Sequence, residues 1–511
     1  MNVLDRLYPY QKEAVTQTFY NTKGIICLPT GTGKTFCQAA IIANDITLNP
    51  NQHRVYVINA PRILLTYQLL KETYNFLITN GIEARYGFVH SGGGVDEDDL
   101  EDMRTLANVD GNDIPFSQIE STTSVDGVKE MISKAKEGNL PIVLFSTYNS
   151  ADKIELAREE GDQPISILLN DEAHYLVQEQ FHSIITELTA ARCYFFTATM
   201  VNTPSKNGRG MNNVDTYGEI LYQMIPREAI DLGKMVKPRI HVITTDGVYD
   251  GDDYDRSLSR IIKETFQQHK MVLGGKMGPK VLISTKGTAD ILKFISSPEY
   301  VTLMGQGVEI YCISSNENIG CDIDGVKYSR QDFLTKLKSS GEDVDKEIIV
   351  LHYDILTEGI DVSGFTGMMP LRTLNKSKFL QTYGRVARLD GRDRTRLTNG
   401  EIKPTDYDEL NKPYSYILIP NLIQGNEDDK ENFTTLIHEL RDYGFNPSED
   451  IISSSMVNGV PEMDELESLN EIKTKLPIIG EIIEGIKSSL EDEADAKLSP
   501  LEFMKKMAGM D

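Results

Sequence analysis

Leu28-Pro29-Thr30-Gly31-Thr32-Gly33-Lys34-Thr35 is the stretch from which the fold is read. It follows a short apolar run, Gly24-Ile25-Ile26-Cys27-Leu28, and leads into the apolar helical stretch Ala39-Ala40-Ile41-Ile42. A buried strand that turns through a glycine-bearing loop into a helix makes an anion cradle. Gly31 and Gly33 let backbone N–H groups curl around a phosphate, and the helix N-terminus adds its dipole. Lys34 is placed to reach β- and γ-phosphate oxygens, and the Thr35 hydroxyl to ligate Mg²⁺. Pro29, Thr30 and Thr32 complete the loop. The general phosphate-loop pattern has glycine where Leu28 stands, so this is a variant that keeps Thr-Gly-x-Gly-Lys-Thr.

A second acidic element, Asn170-Asp171-Glu172-Ala173-His174, ends the apolar run Ile165-Ser166-Ile167-Leu168-Leu169. That puts two carboxylates at the carboxyl edge of a parallel sheet, beside a phosphate held by the first loop. Asp171 is the expected second Mg²⁺ contact. Glu172 is the expected acceptor of the attacking water's proton.

Further strand-like runs surround these two: Val55 to Ile58, Ile142 to Phe145 and Cys193 to Phe196. Continuous rather than alternating apolarity indicates strands buried on both faces, as in a parallel sheet covered by helices. A second series follows at Ile240 to Ile243, Lys280 to Ile283, Val308 to Tyr311, Glu347 to Leu351 and Tyr414 to Ile419. Two consecutive α/β domains are therefore expected, over 1–233 and 234–420. Residues 421–511 read as a small helical region, with helices at Thr434 to Tyr443 and Leu476 to Leu490 joined by polar stretches such as Ser453-Ser454-Ser455.

The chain has 511 residues, enough for several domains, and its net charge of −25 is unevenly spread. Gly93 to Glu130 carries 11 acidic and 2 basic residues, and Asn421 to Asp511 carries 21 and 8. These segments hold 22 of the 25 excess negative charges, so the remaining body is nearly neutral and bulk charge does not exclude a polyanionic partner. The 93–130 interval reads as an acidic insertion in the first domain. Six carboxylates between Asp96 and Asp102 repel one another after the pliant Ser91-Gly92-Gly93-Gly94, which predicts a mobile surface segment that weakens or redirects contact with phosphate. Either acidic segment is also a candidate docking surface for a protein partner. Cys27, Cys37, Cys193, Cys312 and Cys321 are scattered without metal-binding spacing and read as thiols in a reducing compartment. The first residues lack a signal-peptide pattern, and no apolar run is long enough to span a bilayer. A cytoplasmic chain without membrane contact is expected.

Asp-Glu-Ala-His after Thr-Gly-Thr-Gly-Lys-Thr resembles the ATPase core of superfamily 2 helicases and translocases, and the other motifs of that family follow in order over about residues 6–390. Tyr8-Pro9-Tyr10-Gln11 resembles its adenine-reading element, which implies that Gln11 bonds the base edge and that Arg6 or Tyr8 stacks on it. Arg62 in Ala60-Pro61-Arg62 and Thr147 in Ser146-Thr147-Tyr148-Asn149 match its contacts to the nucleic-acid backbone. Thr197 and Thr199 in Thr197-Ala198-Thr199 match its coupling element, with His174 implied as a relay. In the second domain Ser284 and Thr285 match a nucleic-acid grip. The segment Leu356 to Asp361 matches the next motif, which gives Thr357 a nucleic-acid role and Gly359 and Asp361 a nucleotide role. Gln381-Thr382-Tyr383-Gly384-Arg385-Val386-Ala387-Arg388 matches the last motif. Arg385 and Arg388, three apart, are expected on one helix face, where guanidinium groups neutralise charge developing on the γ-phosphate, with Gln381 completing the set.

Within the superfamily this last motif, with Gly218-Glu219-Ile220 and Ile230-Asp231-Leu232-Gly233, looks like the branch of type I and III restriction motors and phage recombination or repair helicases. The resemblance implies tandem RecA-like parallel-sheet domains and a small helical C-terminal region. It also implies ATP and Mg²⁺ as cofactors, DNA as the track, and hydrolysis coupled to translocation, unwinding or remodelling, in a host cytoplasm where the chain is phage-encoded. The alternatives are an RNA-directed helicase and an ATP-dependent clamp or scaffold that does not unwind. Neither acidic segment carries a nuclease constellation.

Overall fold

The apolar runs around the phosphate loop become neighbouring strands of one sheet. The computed structural model describes residues 3–90, 119–205, 208–244, 254–314, 316–353, 364–372, 374, 376–420, 427–442, 450–457, 460–466, 468–477 and 479–484. The chain divides into two units, mainly Met1–Ala229 and Ile230–Asp511, with Tyr328–Lys336 grouped with the first.

In the first unit the strands are β1 (Lys23–Cys27), β2 (Val55–Ala60), β3 (Arg85–Val89), β4 (Ile119–Thr122), β5 (Ile142–Thr147), β6 (Ile165–Asn170), β7 (Cys193–Thr197) and β8 (Glu219–Gln223). Their spatial order is β4-β3-β5-β2-β6-β7-β1-β8, and every pairing is parallel. β2 and β5 are buried along their whole length, which is why their sequences do not alternate. Val128, Met131, Ile132 and Ala135 of the helix Val125–Glu137 pack on Val57, Leu144 and Leu168.

Parallel pairing sends the carboxyl ends of these strands to one edge. Ala60 pairs with Thr147, Asn59 and Phe195 both pair with Asn170, and Cys27 pairs with Thr197. The motifs that follow those five strands therefore leave the sheet side by side.

The second sheet contains β9 (Lys237–Thr244), β10 (Lys280–Ser284), β11 (Glu309–Ile313), β12 (Cys321–Ile323), β13 (Val326–Lys327), β14 (Ile348–His352), β15 (Gly367–Pro370), β16 (Tyr414–Pro420), β17 (Ile451–Val457) and β18 (Val460–Leu466). Its order is β13-β12-β11-β14-β10-β15-β16-β9-β17-β18. The centre is parallel, and antiparallel pairs close both ends. Ser284 pairs with His352 and with Pro370, so the carboxyl ends of β10, β14 and β15 also share one edge.

Three expectations change. Residues 119–130, read as part of an acidic surface insertion, are built into the first unit as β4 and the start of the helix Val125–Glu137. Glu120 bridges Arg85 and Lys134 at 3.1 Å each, so its charge is paired locally. The rest of that interval lies outside the described residues.

Ser453-Ser454-Ser455, read as part of a polar stretch between helices, lies in β17, which pairs antiparallel with β18 and parallel with β9. Ser453-Ser454-Ser455 disguises a strand because its central hydroxyl satisfies buried polar partners: Ser454 Oγ donates to Gln268 Oε1 at 2.5 Å and meets His241 Nε2 at 2.7 Å. Helices do occupy Glu427–Asp442 and Leu469–Lys475 on either side. The third change concerns Arg388, described below.

Among the described residues no helix is long and apolar enough to cross a membrane, and all five cysteines are free thiols.

Candidate active site

At the carboxyl end of β1, Gly31 and Gly33 take φ values of +85° and +86°, a region glycine enters without a Cβ clash. A Cβ on Gly33 would lie 2.4 Å from Gln11 Nε2, so any side chain there would push out Gln11. Gln11 is buried against the loop. Its Nε2 donates to the Thr32 carbonyl at 2.9 Å, and its Oε1 accepts from the Tyr8 N–H at 3.0 Å. The Tyr10 hydroxyl donates to the same Thr32 carbonyl at 2.7 Å. Tyr8 stacks on Tyr10 with ring centroids 5.9 Å apart and remains half-exposed. The helix Pro9–Gln17 thus braces the phosphate loop, and Thr32 Oγ1 closes it by donating to the Pro29 carbonyl at 2.7 Å.

Lys34 and Thr35 open the helix Lys34–Leu48. The buried Lys34 Nζ lies 3.4 Å from the Leu28 carbonyl and 3.8 Å from Glu172 Oε1. Glu172 takes the left-handed backbone conformation, φ +47°, at the turn after β6. It remains partly open, whereas Asp171 is buried.

Asp171 is held from two sides. Gln38 Nε2 donates to its Oδ1 at 2.7 Å, and the Tyr148 hydroxyl donates to its backbone carbonyl at 2.5 Å. Burial pushes the Asp171 carboxyl up, Glu172 beside it adds to this, and Lys34 and the Gln38 amide act the other way. A divalent cation would favour the carboxylate.

His174 links this corner to β7. Its Nδ1 lies 3.4 Å from Glu172 Oε2 and 3.2 Å from Thr197 Oγ1. The Thr197 hydroxyl proton goes to the Thr199 carbonyl at 2.8 Å, while the Thr199 N–H donates back to Thr197 Oγ1 at 3.0 Å. A hydroxyl has one proton, so the hydrogen bond from the ring requires the proton on Nδ1. Burial pulls the His174 pKa down, against the Glu172 carboxylate, which favours a neutral ring. A continuous path therefore runs from Lys34 through Glu172 and His174 to Thr197 and Thr199.

The remaining expected residues fall into three groups. Arg62 is exposed at the end of β2 and begins the helix Ile63–Thr79. Thr147, Ser284 and Thr285 are buried, and their hydroxyls are engaged inside their own units. Thr147 Oγ1 donates to Ser150 Oγ at 3.2 Å, Ser284 Oγ meets His352 Nε2 at 3.0 Å, and Thr285 Oγ1 donates to the Gly287 carbonyl at 3.1 Å. These threonines shape the turns from which a backbone contact would be made. Thr357, Gly359 and Asp361 lie outside the described residues.

Gln381 and Arg385 share one face of the helix Lys376–Val386, but that helix ends before Arg388. The expectation that both arginines project from one helix face is corrected. The carbonyls after Arg385 are taken by groups from elsewhere, which stops the helical ladder.

Gln38, Tyr10 and Tyr148 were not singled out from sequence. Gln38 was accessible to it: it stands four residues after Lys34 and so faces the same way along the helix.

The donor set fits a magnesium nucleotide. One hydroxyl and one carboxylate oxygen are hard ligands, and two positive-φ glycines give the loop a backbone course that residues with a Cβ rarely take. Among the described residues no group of three or more His, Cys, Asp or Glu side chains is arranged to hold a metal. Thr35 and Asp171 are the residues that would hold Mg²⁺, together with phosphate oxygens of a bound nucleotide. Replacing Gln38 by Leu removes the amide donor from Asp171, and the Mg²⁺ concentration for half-maximal ATP hydrolysis is expected to rise about tenfold or more. An unchanged midpoint in a Mg²⁺ titration would show that Gln38 only fills space.

Residues 5–202 match the sequence profile of the family described as type III restriction enzyme, res subunit. No curated protein matches the chain. Among solved structures, the ATP-dependent Type ISP restriction-modification enzyme LlaBIII bound to DNA aligns with a TM-score of 0.65 at 17% identity, over 94% of this chain and 33% of its own. A nuclease-deletion mutant of the Type ISP enzyme LlaGI, in complex with a DNA substrate mimic, aligns with a TM-score of 0.54 at 18% identity, over 86% and 29%. The chain thus spans about a third of the length of these enzymes. The likeness is one of fold, that of tandem RecA-like domains.

Proposed function

We propose, from a chain whose N-terminal part carries a superfamily 2 helicase-like domain of the type III restriction res-subunit kind, that this protein is an ATP-driven motor that translocates along DNA and unwinds or remodels it. The observation that carries the reading is the Lys34–Glu172–His174–Thr197 path. It joins the group that reaches the phosphates and the group that accepts a proton to a strand end outside the phosphate loop. In a motor, movement would be coupled to hydrolysis through that last link.

In this reading Lys34 neutralises the transferred phosphate, and Glu172 orients the water and takes its proton. Mg²⁺, when bound, offsets the charge of the β- and γ-phosphates. Asp171 stays fixed under the Gln38 amide, and His174 passes the state of Glu172 to Thr197. Arg62, Thr147, Ser284, Thr285 and Thr357 are assigned to the nucleic-acid backbone, and Arg385 and Arg388 to the γ-phosphate charge. The protein is assigned to the cytoplasm.

The test is ATP turnover with single-stranded DNA, duplex DNA and RNA, each followed by strand displacement. Stimulation by DNA with displacement is the expected result. Stimulation by RNA alone would move the track to RNA, and stimulation without displacement would leave a clamp.

The acidic run gives an independent check. Replacing the six carboxylates between Asp96 and Asp102 by their amides is expected to tighten DNA binding at low salt, an effect that fades above about 0.1 M salt as screening shortens. Weaker binding in a salt titration would mean that the run is a docking element.

A further inference from the structure

The segment that carries Arg385 and Arg388 leaves its helix through three consecutive carbonyls, at Val386, Ala387 and Arg388. Carbonyls at a helix end lack intrahelical donors and need partners from elsewhere. Lys412 Nζ donates to the Val386 carbonyl at 2.5 Å and to the Arg388 carbonyl at 2.7 Å. The Val236 N–H donates to the Ala387 carbonyl at 2.8 Å. Lys412 is 1% exposed, a rare position for a lysine and one that needs a structural reason.

That reason is built into its surroundings. Lys412 stands in the loop before β16. Asp393, fully buried in the helix Gly391–Thr398, accepts from the Asn411 N–H at 2.9 Å, from the Asn411 side-chain amide at 2.6 Å and from the Lys412 N–H at 2.9 Å. The loop is fixed by three hydrogen bonds to one carboxylate, and its lysine is aimed inward. Asp390 starts the same helix and accepts from the Arg392 N–H at 2.9 Å.

Burial pulls the Lys412 pKa down to about 7. Asp390 and Asp393 pull it back up, while Lys280 and Arg388 add to the depression. A neutral amine still has two N–H groups for two carbonyls, so the clamp holds in either protonation state.

We infer that Lys412 is a positioning residue for hydrolysis: it pins the backbone from which Arg385 and Arg388 extend, and so fixes where their guanidinium groups can reach. The inference rests on the role given above to those arginines. A guanidinium that acts on developing charge is sensitive to displacement, because a shift of about 1 Å can cost on the order of 100-fold in rate. The phosphate loop belongs to the other unit.

The experiment is a double-mutant cycle on the full-length chain. Lys412→Met keeps the aliphatic stem and removes the donors. It is expected to lower kcat for DNA-stimulated ATP hydrolysis by about 10- to 100-fold, with nucleotide Kd and binding stoichiometry, read with a fluorescent ATP analogue, unchanged. In an Arg388→Ala background the same substitution is expected to cost no more than about twofold, because Arg388, whose backbone lies between the clamped carbonyls, carries most of its effect.

The same large factor in both backgrounds, or no loss in either, would overturn the inference. Should Lys412→Met lose its folded baseline, Asp393→Asn enters the same cycle with the same expectations. A wild-type chain without ATP turnover, or one indifferent to Arg388→Ala, would remove the functional reading and this inference with it. Full turnover in Lys412→Met beside a crippled Arg388→Ala removes the inference alone.

Discussion

Replacing Glu172 by Gln is expected to lower nucleic-acid-stimulated ATP turnover by about 10²- to 10⁴-fold, the usual worth of a positioned general base. Nucleotide affinity should stay close to that of the wild type. The substitution keeps the shape of the side chain at a position with φ +47°, so the turn after β6 is not asked to change. The amide oxygen can still accept from Lys34, whose Nζ lies 3.8 Å from Glu172 Oε1. What the amide cannot do is take a proton. Ground-state contacts remain and the transition-state one is lost, which separates the loss into kcat rather than binding. The measurement is a single-turnover hydrolysis rate beside a nucleotide Kd. Wild-type turnover in Glu172→Gln would place the base elsewhere, and a matching loss of affinity would make Glu172 a structural partner of Lys34.

The first unit was legible because its chemistry sits where strands end. The runs at β1, β2, β5, β6 and β7 are buried on both faces, so their composition alone marks them, and each is followed at once by a motif. The second unit was less so. β15, Gly367-Met-Met-Pro, is short and rich in residues with no strand preference. β17 hides its burial behind serines whose partners, His241 and Gln268, are more than 180 residues away in sequence. β8 lies at a sheet edge, and its short run Ile220-Leu221-Tyr222 is not buried as the central strands are. The site followed the same rule. Lys34, Asp171 and Glu172 are local signals, whereas the Gln38 contact to Asp171 spans 133 positions, and only helical spacing hints at it. The end of the helix before Arg388 was invisible for the same reason, since the lysine that takes its carbonyls comes 24 residues later from another loop.

Arg388→Ala is expected to reduce turnover by about 10³-fold or more, the scale seen for an arginine that neutralises charge during phosphoryl transfer, with little change in nucleotide Kd. The reasoning starts from its base. The carbonyls of residues 386, 387 and 388 are held by Lys412 and by the Val236 N–H, so the Cα of Arg388 starts from a fixed point while its side chain remains partly accessible. Arg385, on the last turn of its helix, is more buried and has less room to reach outward. A fixed base with a partly accessible side chain suits a group that must meet charge only when it develops, and that order of events predicts a kinetic loss rather than a binding loss. Arg388→Lys should recover little, because an ammonium cannot reproduce the planar two-point contact of a guanidinium with phosphate oxygens. The measurement pairs pre-steady-state hydrolysis with nucleotide binding for both variants. Equal losses of affinity and turnover would assign Arg388 to the ground state, and full rescue by lysine would reduce its role to that of a point charge.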